Sequence, residues 1–360
     1  RDFCLSRGLG DVYKRQTQHS IILMVGAVVV VFLHNVPYKW FQVFPVFLYP
    51  ISLVLLAFVT LMGIITGDRV NGAARWMTFM GLQFQPSELA KMAVIIAVSF
   101  ILSKRQDEEG ANPKAFKYIM ILTGLVLLLI APENLSTAML LFGVVFMMMF
   151  IGRVAAKNLL LLAGGLVLIV ALGVGTVVAI PAKTLHNTPG LHRLETWQNR
   201  IKGFFDKDEV PAAKFDIDKD AQIAHARIAI ATSHVVGKGP GNSIQRDFLS
   251  QAFSDFIFAI VIEEMGLIGG IFVVFLYLCL LMRAGRIAQK CERTFPAFLV
   301  MGIALLLVSQ AILNMMVAVG LFPVTGQPLP LVSKGGTSTL INCAYIGMIL
   351  SVSRYTAYLE

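Results

Sequence analysis

Residues 254–266, SDFIFAIVIEEMG, mark the point where the one long polar loop of the chain ends and a long apolar run begins. The carboxylates of Asp255, Glu263 and Glu264 lie at or just inside the start of that run. Acidic groups are costly inside a lipid bilayer, so carboxylates in such a place indicate a functional site. Asp255 is therefore the first candidate for chemistry, and the rest of the chain is predicted to form a lipid-facing scaffold around it.

The composition predicts an all-α polytopic membrane protein. The chain has 360 residues, of which 57% are hydrophobic and only 14% charged, whereas about a quarter of a soluble domain is charged. In lipid the backbone must satisfy its own hydrogen bonds, which favours helices. The net charge of +9 does not indicate nucleic acid, because much of it lies in short loops beside apolar runs, as the positive-inside rule requires. The four cysteines have no motif spacing, so no disulfide framework is predicted.

Residues 1–16, RDFCLSRGLGDVYKRQ, are interpreted separately. They lack the apolar region of a signal peptide and are similar to a translated sequencing-adapter segment. We interpret them as a non-native segment, with a genuine basic N-terminal tail as the alternative, and predict one transmembrane domain over residues 17–360.

Apolar runs of about 20 residues predict about nine membrane-spanning helices. Their approximate ranges are 19–36, 44–66, 85–103, 116–132, 135–152, 158–181, 255–282, 296–320 and 334–353. Lys and Arg are concentrated in the short loops 104–117, 153–157 and 283–293, which predicts a cytoplasmic C-terminus and an external loop 182–254. An odd number of spans puts the N-terminus outside, and the basic residues before the first span contradict that placement. We therefore expect an intact parent with about ten spans, the first of which is missing here.

The external loop is predicted to contain its own structure. Apolar residues at helical spacing over Leu191–Phe205 predict an amphipathic helix on the membrane surface. Asp206–Asp220 is mostly polar and predicted to be loop, and Ala221–Ser233 is predicted to be a second helix. Gly237–Asn242 is predicted to be a turn, because Gly and Pro interrupt helices.

A pair of opposite charges opens the third apolar run. Glu88 and Lys91 are three residues apart and would share a helix face, and Glu88 suits the positive N-terminal end of that helix. One interpretation is a structural ion pair that lets both charges lie in the membrane. The other is a polar cavity wall, in which Lys91 and Arg75 face an anionic headgroup.

The approach to the last run is rich in Pro, Gly and hydroxyl groups. Its prolines predict an extended or re-entrant loop, and Ser333–Ser338, with Lys334 and Ser338, could cradle a phosphate at a helix start. Close packing of helices on the glycines is the alternative.

Metal binding in the external loop is not the favoured interpretation. The alternating Asp216, Asp218 and Asp220 could hold a divalent ion, but a solvated acidic loop edge is the favoured interpretation. The histidines of the same loop lack zinc-ligand spacing. For Asp255 itself, the alternative to catalysis is a carboxylate that satisfies free N–H groups at a helix start, a role that Ser254 could share.

Five stretches of the sequence occur together and in a fixed order. They are 72–76 (GAARW), 84–91 (FQPSELAK), 237–245 (GKGPGNSIQ), 254–259 (SDFIFA) with 263–266 (EEMG), and 329–338 (LPLVSKGGTS). In them the chain resembles the SEDS family (shape, elongation, division and sporulation), the RodA/FtsW membrane glycosyltransferases, from its first apolar run to its end. Local variants such as 249–253 (LSQAF) are more similar to a division-type FtsW of the Bacteroidetes than to an elongation-type RodA.

The resemblance implies a peptidoglycan glycosyltransferase that polymerises lipid II outside the bacterial cytoplasmic membrane. It also implies a class B penicillin-binding protein, a transpeptidase, as partner within the divisome or elongasome. The essential aspartate of the family falls on Asp255. A divalent cation is the one cofactor left open, and no nucleic acid is expected.

The sequence departs from the family at two places. Asn134 stands where the family often has an acid, within Ala131–Ala138, and Gln251–Ser254 lacks the usual Glu and His before the aspartate. No acid role is therefore expected at Asn134, and a mechanism that needs the missing Glu or His would not carry over.

The family chemistry predicts a single displacement with inversion. Asp255 would act as general base on the acceptor hydroxyl, and cations would stabilise the departing diphosphate. The predicted substrate contacts are Arg75, Glu88, Lys91, Arg246, Lys334 and Ser338. The alternatives are a lipid II flippase, with Glu88, Lys91 and Glu263 as gating or proton-coupling groups, and a non-catalytic scaffold for a transpeptidase.

Overall fold

A computed structural model describes residues 2–65, 77–79, 82–107, 110–179, 220–249 and 253–357 of the protein. Helices dominate these ranges. They are α1 (Asp2–Asn35), α2 (Tyr38–Phe41), α3 (Phe44–Ile65), α4 (Pro86–Lys104), α5 (Pro113–Ile130), α6 (Leu135–Ile151), α7 (Ala156–Ala179), α8 (Asp220–Ala231), α9 (Ile257–Lys290), α10 (Thr294–Ala318) and α11 (Gly336–Ala357). The prediction of a helical polytopic membrane fold is confirmed.

Within the described ranges, six helices are long and apolar enough to cross a membrane. They are Tyr38–Gly63, Pro86–Lys104, Pro113–Ile130, Ile257–Lys290, Thr294–Ala318 and Gly336–Thr356. Shorter apolar helices cover His19–Asn35, Leu135–Ile151 and Ala156–Leu168. Each predicted span therefore coincides with an apolar helix, while the full number of spans stays a prediction.

Short antiparallel hairpins flank α4, which the prediction of an all-α fold did not include. Strands β1 (Met77–Phe79) and β2 (Leu82–Phe84) pair just before the helix, and β3 (Gln106–Asp107) and β4 (Gly110–Ala111) pair just after it. Such short pairs follow no hydrophobic alternation that a sequence pattern could reveal, and they serve here to close the loops at the two ends of α4.

Helix α4 lies at the centre of the bundle, in contact with α3, α5, α6 and α10. Its small and β-branched residues, such as Ala93, Val94 and Ile96, are fully buried, which allows the neighbouring helices to approach closely. The N-terminus of α4 and the C-terminus of α5 share one end of the bundle, because both line one small cavity with Gln85 and Asn134. The polar residues of the candidate site gather at that end.

The structure also bears on the predictions made for individual segments. Residues 131–134 form a turn between α5 and α6, and the second helix predicted for the loop is α8 (Asp220–Ala231). The amphipathic helix predicted for Leu191–Phe205 lies outside the described residues. Helix α1 begins at Asp2, inside the segment interpreted as non-native, and that interpretation stays a prediction.

Candidate functional site

Asp255 lies in a short non-helical segment, 253–256, directly before α9. Three consecutive carbonyl oxygens of this segment accept hydrogen bonds from other parts of the chain. The pairs are Lys334 N with Phe253 O at 2.8 Å, Ser333 Oγ with Ser254 O at 2.5 Å, and Asn314 Nδ2 with Asp255 O at 2.8 Å. The main chain around Asp255 is thereby tied to α10 and to the approach to α11.

The side chain of Asp255 is half-buried, and its Oδ1 accepts a hydrogen bond from Ser254 Oγ at 3.1 Å. The N-cap position of α9 belongs to Phe256, whose ring is buried. The carboxylate therefore lies one residue before the cap, at the positive end of the helix, where a negative charge is stabilised.

Glu88 and Lys91 form the structural ion pair that the sequence allowed. The Glu88 Oε1 to Lys91 Nζ distance is 2.7 Å, and the exposed side-chain fractions are 4% and 0%. Lys91 Nζ also donates to Gln310 Oε1 at 3.0 Å. Both charges are therefore buried and paired, as the structural interpretation predicted, and the gating role of the flippase alternative stays a hypothesis.

The approach to α11 contains the predicted extended loop, with residues 323–329 in neither helix nor strand. Polar side chains of the bundle hold it at intervals. Gln310 Nε2 donates to Pro328 O at 3.0 Å, Asn314 Nδ2 to Gln327 O at 2.8 Å, Gln327 Nε2 to Thr137 Oγ1 at 2.6 Å, and Tyr277 OH to Pro330 O. These contacts position the segment that in turn holds Asp255.

Sequence analysis missed Gln310 and Asn314. They occupy positions i and i+4 of an apolar run and therefore share one helix face. A polar pair at this spacing within a membrane span was the signal that could have identified them. Their partners, which are main-chain carbonyls of a distant loop, could not be inferred from any pattern.

Lys334 reaches the Asp255 segment through its main chain, and Ser338 follows four residues later in the sequence. Lys334 is exposed, and its main-chain N–H binds Phe253 O, two residues before Asp255. Ser338 is buried in the first turn of α11. Ser333, in contrast, has a structural role, because its hydroxyl accepts from Leu329 N at 2.7 Å and donates to Ser254 O. The phosphate cradle itself stays a prediction.

Glu263 anchors residues 237–245 of the loop that precedes α9. Its side chain is fully buried and pairs with Lys238 Nζ at 2.6 Å. Its carboxylate also accepts from Ser243 Oγ at 2.5 Å, Ile244 N at 3.2 Å and Gln245 N at 3.3 Å. These contacts give Glu263 a structural role that joins residues 237–245 to α9, and its gating or proton-coupling role stays part of the flippase hypothesis.

Helix α9 is interrupted at Gly266, although the sequence predicted one continuous run. Gly266 has φ 70° and ψ −171°, a conformation that only glycine adopts readily. A Cβ there would lie 2.1 Å from Val235 O. The main chain of the loop fills the break, for instance by a hydrogen bond from Lys238 N to Glu263 O at 3.0 Å.

Arg246 is carried by the loop that Glu263 holds. It lies in a short 3₁₀ turn, Gln245–Asp247, is half-buried, and donates its main-chain N–H to Ser243 Oγ at 3.1 Å. The same turn receives His225 from α8, whose Nδ1 is 2.6 Å from Gln245 Oε1. This contact gives His225 a structural partner.

The predicted substrate contact Arg75 lies outside the described ranges, as do the possible ion ligands Asp216 and Asp218. The same holds for Gln251, His186 and His192, for which no site was predicted. Across the ranges that the structure does describe, no group of three or more His, Cys, Asp or Glu residues could hold a metal ion. Asn134, where the family often has an acid, is a helix cap, with its Oδ1 accepting from Thr137 N at 3.3 Å.

Comparisons with known proteins concern the chain as a whole. The family model for cell cycle proteins of the FtsW, RodA and SpoVE type matches residues 7–358. A protein of Trichlorobacter lovleyi named probable peptidoglycan glycosyltransferase FtsW is 34% identical over 94% of this chain and 83% of its own length. A protein of Halomonas elongata with the same name is 30% identical over 95% of this chain and 82% of its own length.

Solved structures show the same architecture. A chain from a peptidoglycan synthase complex that coordinates polymerization and crosslinking superposes with a TM-score of 0.73 at 26% identity, and covers 94% of this chain and 89% of that one. The rod shape determining protein RodA of Thermus thermophilus superposes with a TM-score of 0.62 at 25% identity, and covers 94% and 87%. The similarity therefore extends over nearly the whole chain.

Proposed function

This chain belongs to the FtsW, RodA and SpoVE family of cell cycle proteins, and from that premise we propose that it polymerises lipid II into glycan strands during cell division. It is a peptidoglycan glycosyltransferase, the activity named for relatives that share 30% and 34% of its residues. The observation that carries the proposed site is the main chain of residues 253–255, held at three consecutive carbonyls beside a half-buried carboxylate.

In the proposed reaction Asp255 takes the proton from the acceptor sugar hydroxyl. The hydroxyl oxygen then attacks the anomeric carbon of the donor, the bond from that carbon to the diphosphate oxygen breaks, and undecaprenyl diphosphate leaves with the electron pair. One base is enough, because diphosphate is a good leaving group. Glycoside hydrolases, in contrast, use a second carboxylate as acid for a poor leaving group.

Lys334 is the cation that we propose for the departing diphosphate, because it is exposed and its main chain binds the Asp255 segment. Arg75 and Arg246 remain proposed contacts, together with Ser338. Lys91 is buried against Glu88. For this pair we propose a supporting role, in which it keeps α4 and α10 in register behind the site.

We propose that the site faces the outside of the cytoplasmic membrane and that the C-terminus is cytoplasmic. The positions of Lys and Arg in loops 104–117, 153–157 and 283–293 support this orientation. The shorter apolar helices are proposed to span the membrane too, which would make nine spans in this chain. The narrower likeness to Bacteroidetes members is proposed on residues 249–253 alone.

A class B penicillin-binding protein is the proposed partner, acting within the divisome. The likeness to a chain from a complex that couples polymerization and crosslinking supports this proposal. The external loop and the surrounding lipid are the proposed sites of contact with lipid II.

The test is glycan polymerisation from purified lipid II by the protein with its transpeptidase, compared with Asp255→Asn. Polymer from the parent and none from the variant would support the proposal. Equal polymer from both would remove Asp255 from the mechanism. No polymer from either, with lipid II instead crossing a bilayer, would favour the flippase alternative, and no polymer with transpeptidase activation would favour the scaffold.

A further inference from the structure

We propose that Asn314 is a positioning residue that sets the direction of the Asp255 carboxylate by holding the main chain of Asp255. The inference rests on the proposed function, in which Asp255 is the base. It goes beyond that function because no motif of the sequence marks Asn314 and its side chain does not itself touch the Asp255 carboxylate in the contacts described above.

The geometry of Asn314 is that of a bridge between two segments. Its side chain is buried, with 1% exposure. The Nδ2 atom lies 2.8 Å from Asp255 O and 2.8 Å from Gln327 O. Both hydrogens of the amide are therefore directed at main-chain carbonyls, and a flipped amide would bring Oδ1 against two oxygens.

The side-chain amide of Asn314 acts as a hydrogen-bond donor. Among the described residues, Asn314 Oδ1 is buried and has no hydrogen-bond partner. An amide kept for its acceptor would not leave that acceptor unsatisfied, since each such atom costs about 1–3 kcal/mol. What the position requires is a short side chain with two N–H groups, one pointing to Asp255 O and the other to Gln327 O.

Asn314 is itself firmly anchored. It lies in α10, and Gln310, one turn earlier on the same helix, holds Pro328 O at 3.0 Å in the same manner. Gln327 reaches α6 through Thr137 Oγ1 at 2.6 Å. The direction of the Asp255 side chain is thus set by helices in the core of the bundle and not by the external loop.

Loss of this donor would free the peptide between Asp255 and Phe256. The carbonyl of Asp255 would remain without its partner, and the half-buried carboxylate would turn with the main chain. Misplacement of a catalytic group by about 1 Å can lower a rate by about 100-fold. Because Asn314 donates to main-chain carbonyls and not to the proposed substrate-binding side chains, the apparent affinity for lipid II should change little.

The experiment compares variants of the whole chain, each with its transpeptidase, in lipid II polymerisation at varied substrate concentration. Asn314→Leu removes the donors at nearly constant size. Ser333→Ala removes a different tie to the same segment, at Ser254 O. Ser99→Ala is the matched control, because Ser99 is buried in α4 and its hydroxyl donates to Ile95 O at 2.8 Å, far along the helix from the site.

We expect Asn314→Leu to lower kcat about 10- to 100-fold with KM within about twofold. Ser333→Ala should lower kcat by a smaller factor, and Ser99→Ala should match the parent. In an Asp255→Asn background, Asn314→Leu should cause no further loss of residual activity, because a residue that acts through the base has nothing left to position.

A parent-like kcat for folded Asn314→Leu would overturn the inference, as would a rise in KM alone or an additive loss in the Asp255→Asn background. If Asn314→Leu does not fold, a parent-like kcat for Ser333→Ala overturns the proposed positioning of the segment. A parent that makes polymer while Asp255→Asn does so equally well would contradict the proposed function instead. The two failures are therefore distinguishable.

Discussion

Asp255 and Glu263 are acids eight residues apart, on one segment of the chain, and the fold holds them in opposite ways. At Glu263 the structure binds the side chain, through Lys238, Ser243 and two main-chain N–H groups. At Asp255 it binds the main chain, through three consecutive carbonyls from 253 to 255, and leaves the carboxylate half-buried.

The difference shows how two carboxylates of one motif come to have different roles. An ionised carboxylate has about four lone-pair sites, and at Glu263 protein donors occupy them. Such a group stabilises a loop and has no capacity to take a proton from a substrate. The Asp255 carboxylate is half-buried, and its main chain fixes its direction, which suits a group proposed to meet a substrate hydroxyl.

The largest expected effect comes from exchanging the base for its amide. Asp255→Asn should lower polymerisation by about 10²- to 10⁴-fold, with the free energy of unfolding nearly unchanged, because the side chain is half-buried and an amide oxygen can still accept from Ser254. Polymer yield from lipid II and chemical unfolding in detergent give the two readouts. An unchanged polymer yield would mean that Asp255, like Glu263, takes no part in the reaction.

Glu263→Gln should have the reverse effect, lowering the free energy of unfolding more than polymerisation. It leaves Lys238 without its counter-ion and places an amide hydrogen among donors, for a loss of about 3 kcal/mol in the free energy of unfolding. Its catalytic constant, measured on the folded fraction, should stay within a few-fold of the parent.

Glu264→Gln is the matched control, since the neighbouring side chain is only partly buried and should tolerate the change. If Glu263→Gln instead lost activity at full stability, Glu263 would join the reaction and the comparison would fail.

Gly266→Ala tests the contact between the main chain of α9 and the loop that Glu263 holds. Alanine at φ 70° is strained by about 1–3 kcal/mol, and its Cβ would meet Val235 O. We expect a loss of about 2 kcal/mol in the free energy of unfolding. Gly285→Ala in the same helix, where an added Cβ meets nothing within 4 Å, should be neutral or stabilising, and equal stability losses in both would show that the break in α9 is unimportant.

Lys238→Met should have the smallest effect. The Lys238 side chain is 26% exposed, so the attraction is partly screened by water, and Glu263 keeps its hydroxyl and N–H donors. A loss of about 1 kcal/mol in the free energy of unfolding is expected, and it should shrink when Glu263→Gln is already present. A full additive loss in the double variant would mean that Lys238 acts on some other group.

Much of this architecture follows from local pattern. Apolar runs of the length of a bilayer locate the helices, because lipid leaves a spanning backbone no other partner. Glu88 and Lys91 could be paired in advance, because residues three apart share a helix face, and the turn at 131–134 is forced by the short interval between two apolar runs. Asp255 could be singled out by its place at the start of a span.

The sequence by itself thus determined the membrane-embedded helices, their order and the acid at the centre of the proposed site. Only the tertiary structure decided which acid is held by its side chain and which by its main chain. Lys238 meets Glu263, Gln310 meets Lys91 and Asn314 meets Asp255 across 25, 219 and 59 residues of sequence. Hydrogen bonds of this kind need two atoms within about 3 Å, and no periodicity along the chain specifies which distant groups the packed helices bring that close.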